Sequence, residues 1–174
     1  AAIMTTTGFG TADFEQWSTV SRTLLLVLYF CGGMAGSTAG GMKLIRIMII
    51  LKVVVHEIRL GFRPTLVAPI RLGDQPVAEG IVRSTLAYAL IFMGTVVAGA
   101  VAVAALDPVD LTTAMMASLA CVANVGPGLG AVGPTDNYGF FSDASKMVLS
   151  FCMLLGRLEF FSLLSLFVPA FWRR

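Results

Sequence analysis

The 174-residue sequence predicts a polytopic, all-α membrane protein. Three observations carry the prediction. Hydrophobic residues make up 57% of the chain and charged residues 13%, where an ordinary soluble domain is about a quarter charged. The mean hydropathy is +0.86. Segments 23–42, 84–106 and 147–172 carry no charge or almost none, the last interrupted only by Arg157 and Glu159. As a helix, segment 84–106 reaches about 35 Å, enough to cross a hydrocarbon core of about 30 Å.

In chain order, the opening AAIMTTTGFG lacks the basic start of a signal peptide. It reads as the middle of something, which makes a fragment of a longer protein the expectation. A spanning helix is expected from about Ser18, holding the stretch GGMAGSTAGGMK at 32–43. Five glycines in ten positions, at about 1 kcal/mol each relative to alanine, weaken a helix by roughly 4–5 kcal/mol. A break is expected there, with Ser37 and Thr38 placed to satisfy freed backbone groups. The alternative is a small-residue packing face, because Gly32/Gly36 and Gly36/Gly40 are both GxxxG pairs.

Lys43, Arg46, Lys52, Arg59, Arg63, Arg71 and Arg83 follow, all between the first and second spans, and Arg173 and Arg174 follow the third. Such clustering makes both regions cytoplasmic. A basic segment of this kind anchors helix ends to anionic lipid, so membrane lipid is an expected partner. Around Gly73 and Asp74 the apolar and polar residues alternate, which predicts a short hairpin. His56, at the cytoplasmic end of a helix, reads as a surface or interface residue.

Asp13, Glu15, Asp107, Asp110, Asp136 and Asp143 fall in the segments left to face outward. An acidic outer face concentrates cations, although acidic residues also fill outer loops simply because basic ones are excluded. Residues 111–123 are apolar or small and, as a helix, reach only about 20 Å. Asp110 suits the N-cap. With acidic residues on both flanks the segment enters and returns on one side, a re-entrant helix. Irregular backbone at that depth is tolerated only beside protein or a water-filled cavity, so the glycines after Asn124 are expected to line a pathway.

The same order of events occurs twice. TTTGFG at 5–10 precedes an acidic outer loop and a helix; NVGPG at 124–128 precedes an acidic outer loop and a helix from about Ala144. Placing Gly8 over Gly126 sets Thr6, Thr7, Gly8 and Phe9 against Asn124, Val125, Gly126 and Pro127, with Gly10 and Gly128 next. This is the layout of a potassium filter strand, TVGYG, whose backbone carbonyls replace the ion's hydration shell. Glycine at the third position permits φ > 0. The re-entrant helix ending near Ala123 turns its negative dipole end to the ion path, which favours a cation.

With TTTGF, GGMAGSTAGGMKLIR, NVGPGLG and LLGRLEFFSLL in this order, the chain resembles the Trk/Ktr/HKT superfamily of potassium transporters, specifically its TrkH type. The resemblance implies helix–pore-loop–helix repeats in a pseudo-fourfold, channel-like pore. Residues 1–63 resemble the end of the third repeat with its cytoplasmic extension, 64–76 a cytoplasmic connector, and 77–174 the complete fourth repeat. It further implies potassium uptake across the inner (plasma) membrane. Thr6, Thr7, Gly8, Phe9, Asn124, Val125, Gly126 and Pro127 then form the potassium-binding strands, and Gly36, Ser37, Thr38, Ala39, Gly40 and Gly41 an intramembrane gate. Arg157, about 17 Å in from Lys146, is a positive barrier in the cavity below the filter. A homodimer and a cytosolic TrkA-like nucleotide-binding regulatory subunit are the implied partners, with Lys43 to Arg83 as the available docking surface. Two strands alone cannot enclose an ion, so the chain by itself should not conduct.

Other classes fit less well. A secondary transporter with broken helices and a midplane site remains the alternative. An enzyme needs convergent titratable groups, and only Arg157 and Glu159 sit at membrane depth. Cys31, Cys121 and Cys152 lie in apolar segments as small hydrophobes, and His56 is the only histidine, so no metal beyond potassium is expected. The P-loop-like run at 36–43 has Met42 where the motif needs lysine after glycine, and the GxGxxG at 128–133 lacks its strand and helix. Neither an organic cofactor nor a nucleic-acid partner is expected. Glu159, two residues from Arg157 on a helix, points away from it and is expected to pair with a neighbouring helix.

Overall fold

The computed structural model describes the chain except for residues 1, 11, 35, 38–39, 63–69, 74, 167–171 and 173–174, and the side chain of Leu164. Six helices follow one another: α1 (Thr19–Phe30), α2 (Leu44–Phe62), α3 (Glu79–Leu106), α4 (Leu111–Val122), α5 (Asp143–Arg157) and α6 (Phe161–Leu166). Between α2 and α3 lies the expected hairpin, strands β1 (Arg71–Leu72) and β2 (Gln75–Pro76), antiparallel with Leu72 opposite Gln75. Gly73 has φ 63° at its turn, the hand a two-residue hairpin loop needs.

Among the described residues, α3 is the one helix long and apolar enough to cross a membrane. The other two apolar runs are interrupted. α1 stops at Phe30 and α2 starts at Leu44, so the glycine stretch does break the helix. Its neck is closed by the Gly32 N–H donating to the Met42 carbonyl (2.8 Å) and the Leu44 N–H to that of Gly33 (3.1 Å). A β-carbon on Gly32 would collide with the Gly40 carbonyl.

Segment 147–172 differs from the single span its hydropathy predicts. α5 ends at Arg157, and Glu159 and Phe160 take φ 55° and 46° before α6 begins. Side chains on both sides of the break account for it. Phe160 is fully buried, edge-on to Tyr88 (5.3 Å between centroids) and to Phe92 (6.1 Å). Glu159 faces α2 instead. Left-handed backbone costs about 1–2 kcal/mol per residue, and burying a phenylalanine returns about 1.5–3 kcal/mol.

α4 is the centre of the core. Asp110 caps it, accepting from the Thr112 N–H at 3.1 Å, and nine of its residues are buried between α3 and α5. Contact is close because Gly99 of α3 leaves room: a β-carbon there would overlap Ser118 Oγ and meet Cys152 Sγ at 3.0 Å. Ser118 Oγ donates to the Val96 carbonyl (2.8 Å), satisfying the hydroxyl. The helix is apolar, only 12 residues long, and packed between α3 and α5.

The order glycine strand, 3-10 turn, serine-capped helix occurs twice. Turns at Phe14–Gln16 and Tyr138–Phe140 precede Ser18, which caps α1, and Ser142, which caps α5. Both capped helices then break, α1 at Phe30 and α5 at Arg157. The repeat legible in the sequence therefore extends to its turns, caps and helix breaks.

Candidate functional site

Strand 124–127 lies where α4 has just ended, and strand 6–9 follows a turn at 2–6. Strand 124–127 leaves α4 with the Val125 N–H donating to the Ala120 carbonyl (3.0 Å), while the Asn124 side-chain amide donates to the Val122 (3.3 Å) and Met153 (3.2 Å) carbonyls. In strand 6–9 the Thr6 N–H donates to Ile3 (3.1 Å) and the Thr7 N–H to Ala2 (3.0 Å). Backbone hand alternates identically in the two. Thr6 and Gly8 have φ 54° and 71°, and Asn124 and Gly126 have φ 56° and 103°. These are the positions paired when Gly8 is laid over Gly126. A β-branched residue at positive φ is an outlier, and such strain persists only where surrounding structure over-determines it. Alternating hand turns successive carbonyls toward one side, the arrangement a carbonyl-lined ion path needs.

The strands touch. A β-carbon on Gly8 would stand 2.5 Å from the Val125 carbonyl oxygen and 3.2 Å from Pro127 Cδ. Among the described residues nothing beyond its chain neighbours lies within 4 Å of the corresponding position on Gly126, which is exposed, and Phe9 is 86% exposed. Two hydroxyls reach strand 124–127: Tyr29 donates to the Pro127 carbonyl (2.5 Å) and Tyr138 to that of Gly126 (2.7 Å). Beyond the strand, Glu15 Oε1 accepts from the Gly130 N–H (2.6 Å), with Arg22 4.0 Å from its other oxygen.

The glycine stretch in the broken helix reaches strand 6–9. The Gly40 N–H donates to Thr6 Oγ1 (3.1 Å), and a β-carbon on Gly40 would collide with the Ala123 carbonyl and approach Asn124 Cβ. Gly40 is thus wedged beneath both strands. Gly41 (φ 71°) is buried against Gly32; Gly36 (φ 84°) and Ser37 are exposed, and Thr38 and Ala39 lie outside the described residues. At the exit, Lys43 Nζ donates to the Ser37 carbonyl and lies 3.8 Å from Glu159 Oε1. Arg46 Nη2 bonds Glu159 Oε2 at 2.8 Å, and its Cζ sits 4.0 Å from the Tyr88 ring centroid. Glu159 therefore pairs across to α2, as expected.

Arg157 is exposed on the last turn of α5. Its neighbour Gly156 packs so closely that a β-carbon would overlap the Val122 carbonyl and approach the Asn124 amide. Arg157 consequently stands at the base of strand 124–127. Among the described residues no cluster of three or more His, Cys, Asp or Glu side chains is placed to hold a metal. Tyr29, Tyr138 and Gly156 are not singled out by the sequence, and Glu15 stands out only as one of the acidic residues of the segments expected to face outward. A glycine inside a helical run signals close approach, which gave a handle on Gly156; the tyrosines and Glu15 carry no local signal.

Residues 1–174 match the TrkH family, described as cation transport protein. The chain is 36% identical over 174 residues to the Trk system potassium uptake protein TrkI of Halomonas elongata. It is 39% identical over 176 residues to the Trk system potassium uptake protein TrkH of Escherichia coli K12. Each match covers 99% of this chain and 35% of the relative. The crystal structure of the potassium transporter TrkH from Vibrio parahaemolyticus superposes with a TM-score of 0.88 at 36% identity, over 98% of this chain and 36% of that one. The chain thus spans about a third of the length of the relatives it matches.

Proposed function

The chain belongs to the TrkH family of cation transport proteins, and from that premise we propose that it forms two adjoining quarters of a potassium-uptake pore. Residues 1–63 close the third repeat, 64–76 connect, and 77–174 make up the fourth. Potassium is the cargo, held by carbonyls of Thr6, Thr7, Gly8 and Phe9 on one side and of Asn124, Val125, Gly126 and Pro127 on the next. One observation carries the reading: two strands 118 residues apart share one sequence of backbone hands, positive φ at Thr6 and Gly8 and at Asn124 and Gly126. A shared fold could repeat a helix. Repeating a strained backbone calls for a shared use of its carbonyls.

Below the strands, the stretch from Gly36 to Gly41 acts as the gate, held under them by Gly40, and Arg157 opposes a passing cation by fixed charge. Both inner helices break at that level, which leaves flexible backbone beneath the strands. The whole protein works as a multi-pass protein of the inner membrane, as a homodimer controlled by a TrkA-like nucleotide-binding subunit at the basic cytoplasmic segment.

Broken helices also favour a second reading, a coupled secondary transporter with a midplane site. Recording from the full-length protein in planar bilayers, with K⁺ on one side and Na⁺ on the other, separates the two. A current reversing near the K⁺ equilibrium potential supports the pore. Saturable uptake that needs a second ion gradient, with no current of that kind, supports the transporter.

A further inference from the structure

Strand 124–127 is tied to protein at every residue, and two of its ties are phenols. Tyr29 is 1% exposed on the last turn of α1, in the preceding repeat, yet its hydroxyl reaches the Pro127 carbonyl 98 residues away at 2.5 Å. Tyr138, in the outer 3-10 turn, donates to the adjacent Gly126 carbonyl at 2.7 Å. The base of the strand has other anchors, the Val125 N–H on Ala120 and the Asn124 amide on Met153. Its upper half has few. Among the described residues, none beyond its chain neighbours lies within 4 Å of where a Gly126 side chain would start, so side-chain packing there does not set the direction of that peptide.

We propose that Tyr29 and Tyr138 are positioning residues for ion selectivity, fixing the Gly126 and Pro127 carbonyls so that strand 124–127 keeps the spacing a potassium ion needs. The proposal rests on the reading of this strand as part of the filter. A carbonyl oxygen has two lone pairs, so one accepts the phenol while the other is available to the ion. Charge and direction are both served: the hydrogen bond polarises the carbonyl and stops it rotating to suit a smaller cation. Tyr29 also stands two residues before the broken-helix loop, so the same side chain ties that helix to the strand. Any buried phenol needs an acceptor, but that requirement does not by itself direct two phenols from different elements onto consecutive carbonyls.

Tyr29→Phe and Tyr138→Phe remove only the hydroxyls. In the full-length protein, bi-ionic reversal potentials are measured for each variant and for the pair, beside Gly8→Ala, with membrane abundance recorded. Each single change is expected to raise Na⁺ permeability relative to K⁺ about fivefold, the weight of one hydrogen bond, and the double change more. Unchanged reversal potentials in both, with Gly8→Ala shifted, would overturn the positioning role and leave the filter standing. If Gly8→Ala is also unchanged, the filter reading itself falls. Should Tyr29→Phe fail to reach the membrane, Tyr138→Phe, on a half-buried outer turn, decides alone.

Discussion

Gly8 and Gly126 occupy matching positions in the two strands but answer to different constraints. At Gly8 a β-carbon meets both a positive φ and the Val125 carbonyl at 2.5 Å; at Gly126 it meets the positive φ alone. Strain of the second kind costs about 1–3 kcal/mol, and the collision adds a displacement of the other strand. Gly8→Ala should therefore damage K⁺ over Na⁺ discrimination more than Gly126→Ala, as read from reversal potentials of the full-length protein; equal effects would contradict the packing of the two strands. Arg157 is governed by charge. An arginine near the bilayer centre costs at least about 2.5–3.5 kcal/mol on insertion scales, and Arg157 is exposed on the last turn of α5. Arg157→Gln should insert normally and pass more K⁺, measured as flux per inserted protein. Loss of insertion would identify a structural ion instead.

At the scale of elements, the broken inner helices are held by a few side chains. Gly40 fits under the strands only without a β-carbon, and overpacking costs about 1–3 kcal/mol. Gly40→Ala should displace the loop and raise resting flux, measured as K⁺ uptake per inserted protein. Glu159 holds the loop's exit through Lys43 and Arg46. The carboxylate is 43% exposed, so solvent screening limits the stabilising effect of the pairs to about 1 kcal/mol; Glu159→Gln should lower thermal stability by no more than that and still loosen the loop.

Asp107 joins the end of α3 to the start of α5, accepting from the Ser142 N–H (3.0 Å) and Oγ (3.1 Å). The Ser145 hydroxyl, a buried dipole beside the carboxylate that closes no hydrogen bond to it, and the two Ser142 bonds hold its carboxyl below the ordinary value of 3.8. The carboxylate is favoured by the fold, so this tie is complete at neutral pH and is lost as the pH falls through that lowered range. Asp107→Asn should lower thermal stability at neutral pH and abolish this component of the acid sensitivity, as measured in detergent between about pH 3 and 7.

For the whole molecule, exposure records what the repeats leave uncovered. An apolar groove between α3 and α5, lined by Gly94, Ala98, Phe151 and Leu155 among others, stays open, and the proposed filter faces open space at Phe9 and Gly126. Two strands enclose no ion, so the 174-residue chain alone is expected to insert into liposomes without a K⁺ current. A selective current from it would require assembly of several copies.

By itself the sequence determined the membrane class, because uncharged length and hydropathy are properties of the chain read in one dimension. Capping and backbone freedom are local too, so Asp110 marked the start of α4 and the glycines at 32–41 marked the break after Phe30. The pairing of Gly8 with Gly126 came from the shared order of residue types in the two stretches and of the segments that follow them. Only the tertiary structure decided what depends on distant partners. Positive φ at Thr6, a β-branched residue with no intrinsic reason to adopt it, comes from the packing around it. Composition at 147–172 reads as one helix, and it breaks because Phe160 finds Tyr88 and Glu159 finds Arg46, residues more than 70 positions away. Tyr29 on Pro127 and Glu15 on Gly130 lie 98 and 115 residues from their partners. A one-dimensional pattern records how a residue relates to its neighbours along the chain, and these contacts exist only once the chain has folded back on itself.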